Sequence, residues 1–287
     1  MSVHVTAHLL VLRAGPQCLV QDRGRPGLAH LGVPRAGALD RPAADLANRL
    51  VGNGPDAALL EVLLGGLHLR STVGVWVALT GAPAPLRVGA RSAAHATPTW
   101  VPAGETLRLG APPTGLRSCL AVAGGIDVAP VLGSRSTDTL AGVGPAPVGA
   151  GRELPLGVPA RPPAPGADTP RGPSRGRLRV DPGPRAGWCG QTAVADLCAS
   201  SYVVRSESDR VGLRLDGPVL RREARGELPS EGTVLGAVQV PPDGQPVVFL
   251  ADHPPTGGYP VVAVVRAEDL WQCAQLRPGE AIRFAPA

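Results

Sequence analysis

Lysine is absent from the 287 residues, so the formal charge of +5 rests on arginine alone. That absence removes several chemistries from the chain: a Schiff base on an ε-amine, a nucleotide loop of the G-x-x-x-x-G-K-[ST] kind, and biotin carried on a lysine. Aromatic residues make up only 3%, so the core must be assembled from Val, Leu, Ala and Ile. Basic runs interleaved with aromatics are missing too, and no nucleic-acid partner is expected. No apolar run approaches membrane-spanning length, which predicts no membrane partner. The segment MSVHVTAHLLVLRAG lacks the basic start and cleavage site of a secretion signal and reads as a strand. The five cysteines (Cys18, Cys119, Cys189, Cys198, Cys273) contain no C-x-x-C pair. They read as reduced, mostly buried thiols of a cytoplasmic protein. Among the six histidines, His4 and His8 lie four apart in a strand-like run without a third ligand, so no metal is expected. Neither a G-x-S-x-G elbow nor an S-x-x-K motif occurs, and Gly142-Val-Gly144 lacks dinucleotide-loop spacing.

Glycine and proline, by contrast, are abundant at 38 and 33, and they punctuate the chain too often for long helices. The expectation is a mostly β chain of short strands with a few short helices. Apolar, β-branched content marks strands at 73–80, 107–109, 118–123, 201–205, 246–251 and 260–265. Helical spacing marks 42–51, with Asp40 as its cap and Gly52 and Asn53 at its end, and a shorter helix at 268–276. Residues 145–176, dominated by Pro, Gly, Ala and Arg, read as a loop or linker. They divide an N-terminal lobe, 1–144, from a C-terminal lobe, 177–287. The lobes echo one another in order: Gly15-Pro16, Asp22-Arg23 and Pro112-Pro113-Thr114-Gly115 against Gly183-Pro184, Asp209-Arg210 and Pro254-Pro255-Thr256-Gly257.

Three stretches carry groups suited to chemistry. In the first, an apolar strand runs into Gly124-Gly125, where the backbone either turns tightly or comes close to something else. Ser134, Arg135, Ser136 and Thr137 follow, and their hydroxyls and guanidinium fork suit an anion or carboxylate; the alternative is a turn with a Ser/Thr cap. The second is QDRGRPGLAHLGVPRAGALD, where Asp22 and Arg23 either line a ligand site or pin the loop. In the same lobe Glu61 is placed to reach a backbone donor. The third is the C-terminal pair SESDRVGLRLDG and ADHPPTGGYP, the latter with a carboxylate (Asp252) at a strand end and Thr256-Gly257-Gly258-Tyr259 in a tight turn. That turn reads either as an amide or carboxylate recognition set or as a hairpin plugged by the tyrosine.

Taken together, QDRGRPG, GVPRAGALD, N-x-L-V-G-N, GGI…LGSRSTD, SDRVGLRLDGP, SEG…G-A-x-Q-V-P and D-x-x-x-T-G-G-Y-P resemble the carboxyltransferase/allophanate hydrolase subunit 2 family. That family includes the 5-oxoprolinase C-type, kinase-inhibitor-antagonist-like subunits and the carboxyltransferase part of urea carboxylase. The resemblance implies a two-lobed, cyclophilin-like β-barrel fold and work on a small-molecule amide. It implies a subunit-1-type companion (the kinase-inhibitor-like B-type component of a 5-oxoprolinase) and a barrel-type A component. It also implies ATP, bound here or with a partner. A biotin-dependent carboxyltransferase acting on a urea-like substrate is the alternative, with carboxybiotin on a separate carrier; a non-catalytic regulatory binding protein is a third reading. Under the first reading, ATP-dependent hydrolysis of a cyclic amide of the 5-oxoprolinase type, Asp252 or Asp209 would handle a proton, and Arg135 and Arg210 would hold carboxylate or phosphate. Gly124-Gly125 and Gly257-Gly258 would bring backbone donors close. Asp22, Arg23, Ser134, Ser136, Thr137, Gln239, Thr256 and Tyr259 would complete the substrate or anion site.

Overall fold

A computed structural model describes residues 7–164, 172, 176–223 and 227–287. His4, the first six residues of the expected amino-terminal strand, and parts of the expected 145–176 linker lie outside them. The chain forms two compact units, one of residues 1–25, 40–137 and 142–173, the other of 26–39, 138–141 and 174–287. Segments 26–39 and 138–141 therefore group with the second unit, although they precede the boundary expected from composition.

The first unit is built from a six-stranded and a five-stranded sheet. In the six-stranded sheet, Leu67–Ser71 alternates buried and more exposed residues, so one face turns inward. In the five-stranded sheet, Arg117–Val122 is the middle strand, flanked by Leu59–Leu63 and Val75–Gly81, and is buried along its whole length. Leu9, Leu69 and Leu107 from one sheet meet Val77, Leu120 and Val122 from the other around a wholly apolar gap of about 10 Å3. The middle strand's one charge, Arg117, lies 3.6 Å from Glu61 on the neighbouring strand, with both side chains buried. Glu61 thus faces a guanidinium.

The helix Arg41–Leu50 packs on the five-stranded sheet, where Thr80 donates to the Ala43 carbonyl at 2.7 Å. Asp40 caps its start by accepting from Ala43 N at 3.0 Å. Its end closes with Gly52 N bonding to Arg49 O and Asn53 N to Asn48 O, a Schellman arrangement made possible by Gly52 at φ +77°.

The expected 145–176 linker is corrected in part. Glu153–Pro155 is a strand pairing antiparallel with His8–Ala14, and Leu154 is fully buried. A free sheet edge recruited a segment whose composition argues against order.

The second unit is a closed barrel of seven strands. In barrel order these are Arg177–Pro182, Val261–Val265, Ala237–Gln239, Val247–Phe249, Gly212–Asp216, Ser201–Val204 and Ala281–Pro286. Adjacent strands are antiparallel except the closing pair, Arg177–Pro182 with Ala281–Pro286, which is parallel. Closure removes the exposed strand edges that an open sheet would present. Small aliphatic side chains fill the interior around one edge-to-face aromatic pair, Tyr202 with Phe284, whose centroids are 5.8 Å apart. The tyrosine inside the lobe is therefore Tyr202, while Tyr259 is 44% exposed. A two-stranded ribbon, Glu231–Gly232 with Thr256–Gly257, stands beside the barrel strands.

Candidate functional site

In the first unit the strand Gln17–Gln21 delivers Asp22 into the SRST segment. Asp22 Oδ1 accepts from Ser134 Oγ (2.6 Å), Ser136 Oγ (2.6 Å) and Gly24 N (2.7 Å), and Oδ2 accepts from Arg135 N (2.6 Å). Arg25, almost fully buried, donates to the Ser136 carbonyl at 2.5 Å. Thr137 Oγ1 donates to Pro145 O and Gln21 Nε2 to Thr137 O, each at 2.8 Å. The Arg135 guanidinium is spent locally as well, on Val128 O at 2.7 Å and Asp127 Oδ1 at 2.6 Å. The carboxylate that Ser134, Arg135 and Ser136 gather around is the chain's own Asp22. As an expected ligand for an external anion, Arg135 has its fork already engaged.

Gly124 is the glycine that comes close to something. It has φ +90°, and a Cβ there would sit 2.0 Å from Gly157 O. Its N–H donates to Asn53 Oδ1 at 2.8 Å, so its donor too is taken up internally. Arg23 lies 3.7 Å from both Asp45 and Asp56. It shares the lining of a polar pocket of about 10 Å3 with Gln21, whose Oε1 is buried without a hydrogen-bond partner among the described residues. That is room for a single water.

In the second unit, Arg210 and Asp252 pair through two bonds, and the remaining groups around them are satisfied in turn. Arg210 Nη2 also donates to Gly37 O at 2.7 Å, and Asp252 Oδ2 accepts from Thr139 N (2.9 Å) and Thr139 Oγ1 (2.7 Å). This carboxylate, expected to handle a proton, is locked against a permanent cation, and the arginine expected to hold an anion already holds one. Asp209, the other expected proton carrier, is exposed and accepts from Val211 N and Gly212 N at 2.8 and 3.0 Å, closing the turn into Gly212–Asp216.

The residue that sequence reasoning passed over is His253, next to Asp252. It is buried, its ring stacks on Phe249 with centroids 5.6 Å apart, and burial lowers its pKa below the ordinary imidazole value. Arg35 adds to that lowering, while the Pro254 carbonyl, Asp252 and Asp138 oppose it. Nδ1 lies 2.8 Å from Pro254 O and 3.1 Å from Thr233 Oγ1. A carbonyl only accepts, so the network assigns the proton to Nδ1 and leaves the lone pair on Nε2. Its signal in the sequence was a histidine between a strand-end aspartate and a Pro-Pro turn.

Around it the turn behaves as a scaffold for backbone groups. Thr233, bonded to His253, also donates to Pro254 O. Buried Gln239 donates through Nε2 to Tyr259 O at 3.1 Å, and a Cβ on Gly257 would lie 2.9 Å from that same nitrogen. Gly257 is therefore the residue that lets the Gln239 amide approach the turn. Tyr259 has the Arg222 guanidinium over its ring at 5.9 Å, and Glu231 on the ribbon pairs with Arg185. The structure thus brings Gln239, Thr256, Gly257, Gly258 and Tyr259 together with His253 in the second unit. Asp22, Ser134, Arg135, Ser136 and Thr137 form an internally satisfied cluster in the first.

Residues 31–286 match the family model described as carboxyltransferase domain, subdomain A and B. The chain is 39% identical to the 5-oxoprolinase C subunit of Escherichia coli, covering 96% of this chain and 90% of that one. It is 31% identical to the 5-oxoprolinase C subunit of Haemophilus influenzae, covering 96% and 89%. Among solved structures, the crystal structure of TTHA0988 superposes with a TM-score of 0.88 at 41% identity, covering 99% of this chain and 56% of that one. The Kluyveromyces lactis urea carboxylase superposes with a TM-score of 0.90 at 29% identity, covering 99% and 28%. This chain thus spans little more than half of the one solved chain and under a third of the other.

Proposed function

Because the chain belongs to the family of carboxyltransferase domains with subdomains A and B, we propose that it is the C-type component of a cytoplasmic, ATP-dependent 5-oxoprolinase. It would work with a subunit-1-type B partner and a barrel-type A partner to open the cyclic amide of 5-oxoproline to glutamate. The observation that carries this reading is the higher identity: 39% to the Escherichia coli C subunit against 31% to a matching urea amidolyase.

Opening a lactam calls for a group that takes and returns a proton at the ring nitrogen and for donors that hold the amide oxygen as charge develops on it. In this reading His253 is the proton-handling group, because it is held neutral with an available lone pair. Asp252, fixed by Arg210, holds the adjacent backbone, and the Gln239 amide with the Thr256–Gly258 turn recognises the substrate amide. Neither Arg135 nor Arg210 fits a nucleotide phosphate, since both guanidinium groups are committed, so no step on this chain is assigned to ATP. The likeness to urea carboxylase keeps carboxyl transfer to a urea-like acceptor as the rival. Without a lysine, that route needs carboxybiotin on a separate carrier.

The test is glutamate release from 5-oxoproline with ATP, by the purified chain alone and by the chain with its partner proteins. Turnover is expected only from the full assembly, and His253→Gln should abolish it while the assembly still forms. Full activity of the chain alone would contradict its dependence on the partner components. Inactivity of the assembly, together with urea-dependent consumption of carboxybiotin, would move the assignment to the rival.

A further inference from the structure

The chain has four tryptophans, and two of them meet in one cleft of the first unit. Trp76 and Trp100 are direct cross-strand partners on Val75–Gly81 and Thr99–Val101, so both side chains leave the sheet on the same face. Their rings lie 5.4 Å apart at 60°. Trp100 is 42% exposed, and it can lie flat on the strand only because residue 74 is glycine, where a Cβ would sit 2.4 Å from the indole. The opposite wall is the segment 159–163, and the space enclosed is about 450 Å3.

That wall is built into the fold. Gly124 abuts Gly157, Gly157 N bonds to Gly125 O at 3.1 Å, and Ala164 N bonds to Leu50 O at 3.2 Å. At Gly52 a Cβ would sit 2.5 Å from Arg161 O and 2.7 Å from Pro162 O, so only glycine admits the wall so close to the helix end. A cleft of this volume, largely apolar with one charged group, falls in the range of small-molecule sites, roughly 300–1,000 Å3. Arg161 is exposed and is the one charged side chain among the described lining residues, none of which is a carboxylate. The remaining lining is indole, proline, valine, alanine and glycine.

We propose that this cleft binds a flat, ring-bearing small molecule with an anionic substituent, the ring against Trp100 and the anion toward Arg161. The inference rests on the first unit alone and is independent of the 5-oxoprolinase reading. Stacking on an indole and a charge-assisted contact to guanidinium are the two interactions the lining offers.

Calorimetric titration of the full chain with 2-naphthoate, with neutral 2-naphthol, and with a proline-rich peptide tests it. Saturable one-site binding of naphthoate is expected. Trp100→Ala should weaken it at least about fivefold, with Trp100→Phe keeping most of the affinity. Arg161→Gln should weaken naphthoate about three- to tenfold and leave naphthol unchanged. Melting curves on the same preparations confirm that each variant is folded. Absence of saturation at millimolar naphthoate would overturn the proposal. Equal affinity in Trp100→Ala, or in Arg161→Gln, would do the same for the ring and the anion respectively. Preferential capture of the peptide would show the cleft to be a docking groove instead.

Discussion

Arg210 and Asp252 form a two-bond ion pair, Nε to Oδ2 at 2.9 Å and Nη2 to Oδ1 at 3.0 Å, with side chains only 1% and 0% exposed. A pair removed from water this completely is tolerated only when the remaining donors and acceptors are met as well. Gly37 and Thr139 supply that requirement. The pair is therefore architecture of the second unit, and it holds the turn that carries His253.

Breaking it should be costly. Asp252→Asn leaves a buried guanidinium facing a neutral amide, and a loss of roughly 3–5 kcal/mol of unfolding free energy is expected. Denaturant unfolding of the variant beside the wild type measures it. An unchanged midpoint together with lost activity would return Asp252 to the role of proton carrier.

Asp22 and Arg135 should respond differently from each other. Asp22→Asn turns a four-fold acceptor into a group with donors aimed at donors, and a loss on the order of 3 kcal/mol is expected. Arg135→Lys gives up a partly exposed pair with Asp127, for which about 0.5–1 kcal/mol is expected, with ligand affinity unaffected. Melting and substrate binding measured on the same preparation separate the two. A large affinity loss in Arg135→Lys at unchanged melting would show that its guanidinium serves a ligand after all.

His253 has a definite pH signature. Burial lowers its folded pKa below the ordinary value of 6.5, so the unfolded chain binds more protons between the two values. Its contribution to stability is then fully present above pH 6.5 and is lost as pH falls through the folded pKa. His68 and His95 are lowered in the same direction, each mainly by desolvation, so the measurement is the difference between wild type and His253→Gln. The acid-side slope of stability should be shallower in the variant. An identical slope would mean that His253 titrates alike in both states.

Gly124→Ala should destabilise the first unit by about 2–4 kcal/mol, because φ is positive and the new methyl meets the Gly157 carbonyl. Removing 153–163 should be at least as damaging, since it strips the strand paired with His8–Ala14. Cooperative melting at the wild-type temperature in that deletion would show that the segment contributes nothing.

Much of the local structure is legible without coordinates because it depends on neighbours along the chain. The mostly β class, the Asp40 cap, the glycine-closed end of the Arg41–Leu50 helix and the need for glycine at 124 all follow from backbone preferences and short-range bonds. That Asp22 is the carboxylate gathered by Ser134, Arg135 and Ser136 is not local, since more than 110 residues separate them. Which charges pair is decided elsewhere. Asp209 precedes Arg210 directly, yet Arg210 pairs with Asp252, and Asp209 spends its carboxylate on two backbone amides of its own turn. Asp22 and Arg23 likewise part, the first toward the SRST segment and the second toward Asp45 and Asp56. Residues adjacent at a strand end project in different directions, so pairing depends on what the fold brings opposite each one. The same reason hid Glu153–Pro155, which pairs with the strand His8–Ala14, and His253, whose pKa is lowered chiefly by the loss of water around it. Burial and through-space electrostatics exist only once the chain has closed on itself, and no order of residues states them in advance.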